Sequence, residues 1–489
     1  MNKQHIFLGA LVVSVFLALP APPAPAQSGY ATVIGGPAYD AATQTGFTEG
    51  PMTSPGSRLS NYGTAVGKAT KFVAGTNLGI RAVRWDASGT ATELDSPWTN
   101  SNGFTYATAY AVNDAGTPVG YATKYVSGSY IGELAVRWDA SGTAATVLGD
   151  LGTDSNGSTQ AMANAINGAG TAVGYAYTFV AGGNVGPRAV RWVASGTSAT
   201  ELGNLGTNSG GFTACYAYAV NDAGMAVGQA NKYISGIYGG SRAVRWDASG
   251  TAATELGDIG TDSSDYTLAY AYYVNAAGTA VGYASKYVSG VNKGNRAVRW
   301  DGSGTAATEL GNLGTDSTGY AVNQANAVNA AGTVVGVSEK YVGGIIKGVC
   351  AVRWDASGAA TELGNLGTDV FGKPYAQGYG VSDDGIAVGY SWIFQNGIRV
   401  GQHAVLWGAN GQAVDLNTWI ASDSGWTLTE ADAISANRMW VSGAGTYDPD
   451  GAGPLAAYDR TWTMQVPEPA TLALLAFGAA AIIRRRQRV

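Results

Sequence analysis

The sequence predicts an all-β protein, an eight-bladed β-propeller of four-stranded antiparallel blades closed by the N-terminal strand. Three observations predict it: a repeat of about 54 residues, a strand–turn pattern inside each repeat, and a composition rich in small turn-formers and β-formers. The repeat is marked by a tryptophan ending an Ala-Val-Arg-Trp-like string, at Trp85, Trp138, Trp192, Trp246, Trp300, Trp354 and Trp407, spaced 53 or 54 residues apart. A degenerate copy ends at Trp462, 55 residues further on. The valine of a Thr-Ala-Val-Gly-type string recurs in step, from Val66 to Val441. Self-similarity at a fixed period of this size means stacked or radial units, each unable to bury its apolar face alone. The 72 glycines suit many short strands joined by tight turns.

Residues 109–149 display the strand plan of one unit. Ala109-Tyr110-Ala111-Val112-Asn113 reads as a first strand, and Asp114-Ala115-Gly116 as a turn. Thr117-Pro118-Val119-Gly120-Tyr121-Ala122 follows as the second strand, then Lys124-Tyr125-Val126-Ser127-Gly128 and a loop. Leu134-Ala135-Val136-Arg137-Trp138 and Ala145-Thr146-Val147-Leu148-Gly149 are the third and fourth strands. Four short antiparallel strands repeated radially make a propeller blade, and the alanines of the first strand suit the crowded innermost position. Along the third strand, side-chain alternation puts Val136 and Trp138 on one face and Ala135 and Arg137 on the other. The tryptophans are expected between blades. The last unit stops after its third strand, while Ala31-Thr32-Val33-Ile34-Gly35 carries a fourth-strand pattern at the opposite end of the chain. Pairing the two would remove the open edges. The alternative architecture is a β-solenoid.

Both ends of the chain read as addresses. Lys3, an apolar run and Ala24-Pro25-Ala26 make residues 1–26 a signal peptide with cleavage between Ala26 and Gln27. The repeat body then spans 27–465, and 466–489 form a tail. In that tail Pro467-Glu468-Pro469 precedes a short apolar segment and the basic run at Arg484, Arg485 and Arg486. Basic residues after an apolar segment stop translocation. The tail resembles the PEP-CTERM sorting signal of Gram-negative bacteria. That resemblance implies recognition by an exosortase-type membrane peptidase after signal peptidase has acted. It implies a location at the cell surface or outside the cell, with transient anchoring in the inner membrane through the tail alone.

Without Lys3, Glu468, Arg484, Arg485, Arg486 and Arg488, the 28 basic and 34 acidic residues become 23 and 33, a net charge of −10. Such a body repels nucleic acid. The recurring Leu-Gly-Asn-Leu-Gly-Thr string at Leu202 to Thr207, Val-Asn-Asp-Ala-Gly at Val220 to Gly224, and His403-Ala404-Val405 resemble the HAF-type extracellular repeats. In most units Arg-Ala-Val-Arg-Trp or a near variant stands in place of the His-Ala-Phe tripeptide that names them.

Candidate chemistry is sparse. The two histidines are His5, inside the signal peptide, and His403, at a repeat strand position, which leaves little for a triad or a histidine-rich metal site. No cofactor or metal is expected. Asp154, Asp262, Asp316 and Asp369, with Asn208 in the matching place, recur in Gly-Thr-Asp or Gly-Thr-Asn turns, where aspartate belongs as a turn residue. Asp86, Asp139, Asp247, Asp301 and Asp355 follow the tryptophans and are expected to pair with nearby arginines. Tyr125, Tyr233, Tyr287 and Tyr341 follow the second strand, each after a lysine, and suggest a ligand ring of aromatics and cations. A packed hairpin end beside a solvated lysine is the plainer reading. The expected function is an exported, non-catalytic surface or matrix protein binding polysaccharide or protein. The alternative is a propeller-type carbohydrate-active hydrolase or lyase needing two carboxylates, for which Asp383-Asp384 is the nearest candidate. Cys215 and Cys350 fall at different repeat phases and are expected to be free thiols.

Overall fold

The computed structural model describes residues 46–48, 59–451, 453 and 456–466. The signal peptide, the 31–35 strand and the 467–489 tail lie outside the described residues. The described chain is all-β, with one short 3-10 turn at Leu416–Trp419. No helix among the described residues is long and apolar enough to cross a membrane.

The strands follow the sequence repeat. Cys215–Val220, Ala226–Ile234, Ile237–Trp246 and Ala253–Glu255 form one four-stranded antiparallel sheet in chain order, and three further sheets repeat that order. The earlier strands join into a twelve-stranded sheet through short parallel pairs such as Gly79 with Thr105. The last sheet has three strands, ending at Tyr458–Gln465. Among the described residues no sheet closes on itself.

The second and third strands are longer than the sequence plan allowed. In the 109–149 unit they run Pro118–Val126 and Ser129–Trp138, so the segment assigned to a loop is a long hairpin. Its tip is Ser127-Gly128, with φ of 50° and 81°. Positive φ at both central residues is the type I′ turn, whose twist matches the flanking strands. Ala74-Gly75, Ser235-Gly236 and Ser289-Gly290 repeat it.

Strand alternation locks each unit to both neighbours. The marker tryptophans are buried, at 1% exposure or less. Trp138, Trp192 and Trp246 donate their indole N–H to the carbonyls of Asp95, Gly149 and Gly203, each 43 residues earlier. The preceding arginine points the other way. Arg84 donates to the carbonyls of Asp139, Ala140 and Gly142, and Arg191 to those of Asp247, Ala248 and Gly250, in the following unit. The arginines therefore serve main-chain carbonyls more than the aspartates expected of them. Arg245 with Asp247 at 3.6 Å and Arg299 with Asp301 at 3.1 Å do pair. Asp86 and Asp355 instead accept from main-chain N–H groups two and four residues on. Asp154, Asp262, Asp316, Asp369 and Asn208 use one side-chain oxygen in the same way.

In four units a second arginine, Arg81, Arg188, Arg242 or Arg296, is more deeply set. Arg242, 1% exposed, donates to the carbonyls of Gly239, Thr267 and Asp265 and lies 3.3 Å from Glu255. His403 occupies the equivalent place in a later unit, with Nδ1 2.6 Å from Asp415 Oδ2. Burial pushes Asp415 upward, but its hydrogen bonds with His403 and Asn417 prevail and hold it below the usual carboxylate range. His403 is thus part of the repeat scaffold.

Cys215 and Cys350 are free and buried. Burial pushes both thiols up to about 12. Since the thiolate is the reactive form, neither cysteine is expected to react with iodoacetamide at pH 8 in the folded protein, while both react fully in denaturant. Mass spectrometry after a timed exposure checks this.

Candidate functional site

In five successive units the turn after the first strand carries an asparagine that ties it to the next. Asn113 donates Nδ2–H to the carbonyl of Asn167, Asn167 to Asn221, Asn221 to Asn275, and Asn275 to Asn329, at 2.9 to 3.1 Å. The Oδ1 of the same asparagines accepts from their own turn, as at Thr117 and Thr171. Asn329 continues to Ser382, and the Asp383 N–H donates to Ala436. Asn437 then donates to the carbonyl of Asn61 at 2.8 Å, 376 residues earlier, and Asn61 donates to both carboxylate oxygens of Asp114. Gly63 sits against the Trp440 ring, where any Cβ would come within 2.5 Å of it. The last described unit therefore meets the first through side chains and turns.

The first strands below this rail surround a cavity of about 980 Å³. Most of these strands turn small residues into the sheet interfaces, as Ala109, Ala111, Ala217 and Ala325 do at 0% exposure. The residue between them faces the cavity: Tyr110, Asn164, Tyr218, Tyr272, Asn326 and Tyr379, one repeat apart. In the last unit the same position is Asp432. One level nearer the rail, Val112, Val220, Val274, Val328 and their counterparts form an apolar collar.

The wall is unequal. Tyr175, Tyr216, Tyr218 and Tyr272 form a continuous aromatic arc across three successive units, with centroids 5.0, 6.2 and 5.6 Å apart in turn. Burial, reinforced by neighbouring tyrosines, pushes Tyr216 and Tyr272 up to about 12, and Tyr175 and Tyr218 also well above the ordinary phenol value. Amide groups follow, with Asn326 donating to the Gly378 carbonyl. Then come Tyr379 and Asp432, where burial first, then the charges of Glu430 and Asp432, hold the Tyr379 hydroxyl protonated. The cavity lining contains seven tyrosines, four carboxylates (Asp114, Asp222, Asp383 and Asp432) and no lysine, arginine or histidine. Among the described residues no group of three metal-binding side chains occurs.

The sequence-predicted ligand residues stand elsewhere. Tyr125 and Tyr233 face Tyr130 and Tyr238 across their own hairpin ends, at 6.4 and 5.7 Å. Tyr287 is paired with Asn292, and Tyr341 with Ile346, near the same hairpin ends. None of these tyrosines lines the cavity. Their lysines are not simply solvated: Lys232, Lys286 and Lys340 pair with Glu255, Glu309 and Glu362 at 3.0, 2.7 and 2.6 Å. Asp384 is engaged by Arg438 at 2.7 Å, and Asp383 accepts from the Ala330 N–H. The residues that sequence reasoning missed are the cavity tyrosines, Glu430 and Asp432. A repeat-by-repeat alignment carries the signal, since Thr429-Glu430-Ala431-Asp432 stands where other units have pairs such as Tyr216 and Tyr218.

The fold and site together define an all-β repeat protein with one large tyrosine-lined cavity. A family description, the PEP-CTERM protein-sorting motif, matches residues 465–488 and marks an exported surface protein. The search of curated proteins found no match. Similar solved structures include the puromycin hydrolase S511A mutant complexed with PGG, 15% identical over 82% of this chain, TM-score 0.46. This chain spans 59% of that protein's length. The β-propeller domain of the Trilobed protease from Pyrococcus furiosus is 11% identical over 78% of this chain and 99% of its own, TM-score 0.38. The polysaccharide lyase Uly1 is 9% identical over 90% of this chain and 98% of its own, TM-score 0.37.

Proposed function

We propose that this protein is an exported, non-catalytic cell-surface or matrix protein, folded as an eight-bladed β-propeller of HAF-type repeats, that holds a polysaccharide segment in its cavity. The observation that carries the binding reading is the 980 Å³ cavity lined by seven tyrosines and several side-chain amides. Tyrosine rings offer flat apolar faces with a polar tip, and amides offer donors and acceptors together. That pairing suits sugar rings, with their apolar C–H faces and hydroxyl edges. The return of the hydrogen-bonded rail from Asn437 to Asn61 supports a ring over a β-solenoid, whose ends stay apart.

Catalysis by a carboxylate pair is the competing reading, favoured by Glu430 and Asp432 on the strand Trp426–Ile434. A panel of polysaccharides tested for both binding and reducing-end release separates the two. Binding without release is expected, weakened by at least about tenfold in Tyr218→Ala and Tyr272→Ala, a loss of about 1.4 kcal/mol. Release of new reducing or unsaturated ends would overturn the non-catalytic reading.

The sorting motif at 465–488 supports processing by signal peptidase and then by an exosortase-type peptidase. The surface form is expected to begin at Gln27 and to lack the residues after Pro469, including Arg484 to Arg488. Intact-mass measurement of protein extracted from the cell surface checks both ends.

A further inference from the structure

We infer that the cavity selects glycans bearing a protonated amine. This rests on the reading of the cavity as a glycan site and adds the charge of its ligand. Four carboxylates line it and no cationic side chain does. Three of them, Asp114, Asp222 and Asp383, stand at the rail that rims the cavity, where their oxygens also accept N–H groups from the preceding unit, as from Gly168 and Ala330. The fourth, Asp432, is set in the wall at the position that is tyrosine or asparagine in the units before it.

The arrangement is directional. The tyrosine arc from Tyr175 to Tyr272 comes from consecutive units, while Asp383 and Asp432 come from the last two, with the amides of Asn326 and Gln324 between. A sugar ring stacked on the arc would present its substituents to the carboxylate side. Carboxylates inside low-dielectric walls focus a negative potential that water outside does not fully screen. Aromatic faces attract ammonium groups through their quadrupole. Both terms favour an ammonium, leave an N-acetyl group with stacking alone, and repel a uronate. The excess of acidic residues over the whole chain, 34 against 28, steers ligands the same way.

The test measures affinity of the full repeat body for three probes at low salt: a glucosamine hexamer, an N-acetylglucosamine hexamer and a galacturonate hexamer. The glucosamine hexamer is expected to bind at least about tenfold tighter than its N-acetylated form, with no binding of the uronate. Asp432→Asn keeps the side-chain shape and is expected to cut that preference to about threefold or less. If Asp432→Asn does not fold, Asp222→Asn with Asp383→Asn supplies the same readout. Equal binding of the two hexosamine probes, or a preference untouched by both sets of variants, overturns the charge selectivity and leaves the glycan site standing. If none of the probes binds, the charge inference falls with the glycan reading for these sugars.

Discussion

Trp246→Ala is expected to lower the free energy of unfolding by about 3–5 kcal/mol, the cost of truncating a large core aromatic to alanine. Trp246 is 0% exposed and packs with Ala165, Val173 and Leu202 of the preceding unit as well as Cys215 and Val244 of its own. Its indole also satisfies the Gly203 carbonyl at 2.9 Å, so truncation opens a cavity and orphans an acceptor in one step. Trp246→Phe keeps most of the packing and loses the hydrogen bond, at a cost of about 1–3 kcal/mol. Chemical denaturation of the two variants beside the parent measures both. A loss below about 1 kcal/mol for the alanine variant, the size usual at exposed positions, would mean that the tryptophans do not join neighbouring units.

The second large effect is with pH. The folded protein is expected to lose stability steeply as pH rises from 10 towards 12. The ordinary phenol value is 10, and burial raises Tyr216 and Tyr272 to about 12 in the folded state, with Tyr175, Tyr218, Tyr283 and Tyr390 raised as well. A raised value means that the folded state keeps protons the unfolded chain has already lost. Its contribution is therefore complete below 10 and disappears as pH climbs through the folded values. Unfolding by circular dichroism and tyrosinate absorbance near 295 nm should then change together above pH 10. A tyrosinate step large enough to include the cavity tyrosines, completed near the ordinary phenol value while the fold persists, would show that they are freely hydrated. Replacing Tyr272 by Phe removes one such group and should move the transition to higher pH.

The repeat itself was legible because its signals are local. Tryptophan at one end of a strand and arginine beside it are opposite-facing by the pleat alone, and the contacts agree: Trp138 reaches back to Asp95 while Arg137 reaches forward to Val193 and Ala194. The alanines of the first strand were likewise readable as packing positions. The hairpin tips were not, because Ser127-Gly128 lacks the asparagine that advertises a type I′ turn, and its φ values follow from the strands it joins. The asparagine of Val-Asn-Asp-Ala-Gly was readable as a turn residue, but its second role needs a partner one repeat away.

The site divides the same way. Composition and period determined the all-β class, the position of the core tryptophans and the poverty of histidine chemistry, while the C-terminal sorting motif was legible through the resemblance its Pro-Glu-Pro, apolar run and arginine cluster carry. They could not say which aromatics share a space, because residues 54 positions apart in a repeat are equivalent in sequence and become neighbours only when units pack side by side. Tyr233 and Tyr218 look alike in the chain. One is spent across its own hairpin against Tyr238, and the other meets Tyr272 of the next unit at 5.6 Å and opens onto the cavity. The tertiary structure also decided the meaning of Asp432. In sequence it is a blemish in a degenerate last repeat, but packing carries it into the wall that the tyrosine and asparagine positions of the other units share. Only the packing of units side by side brings that position to the cavity, because its neighbours there lie about one repeat away in the chain.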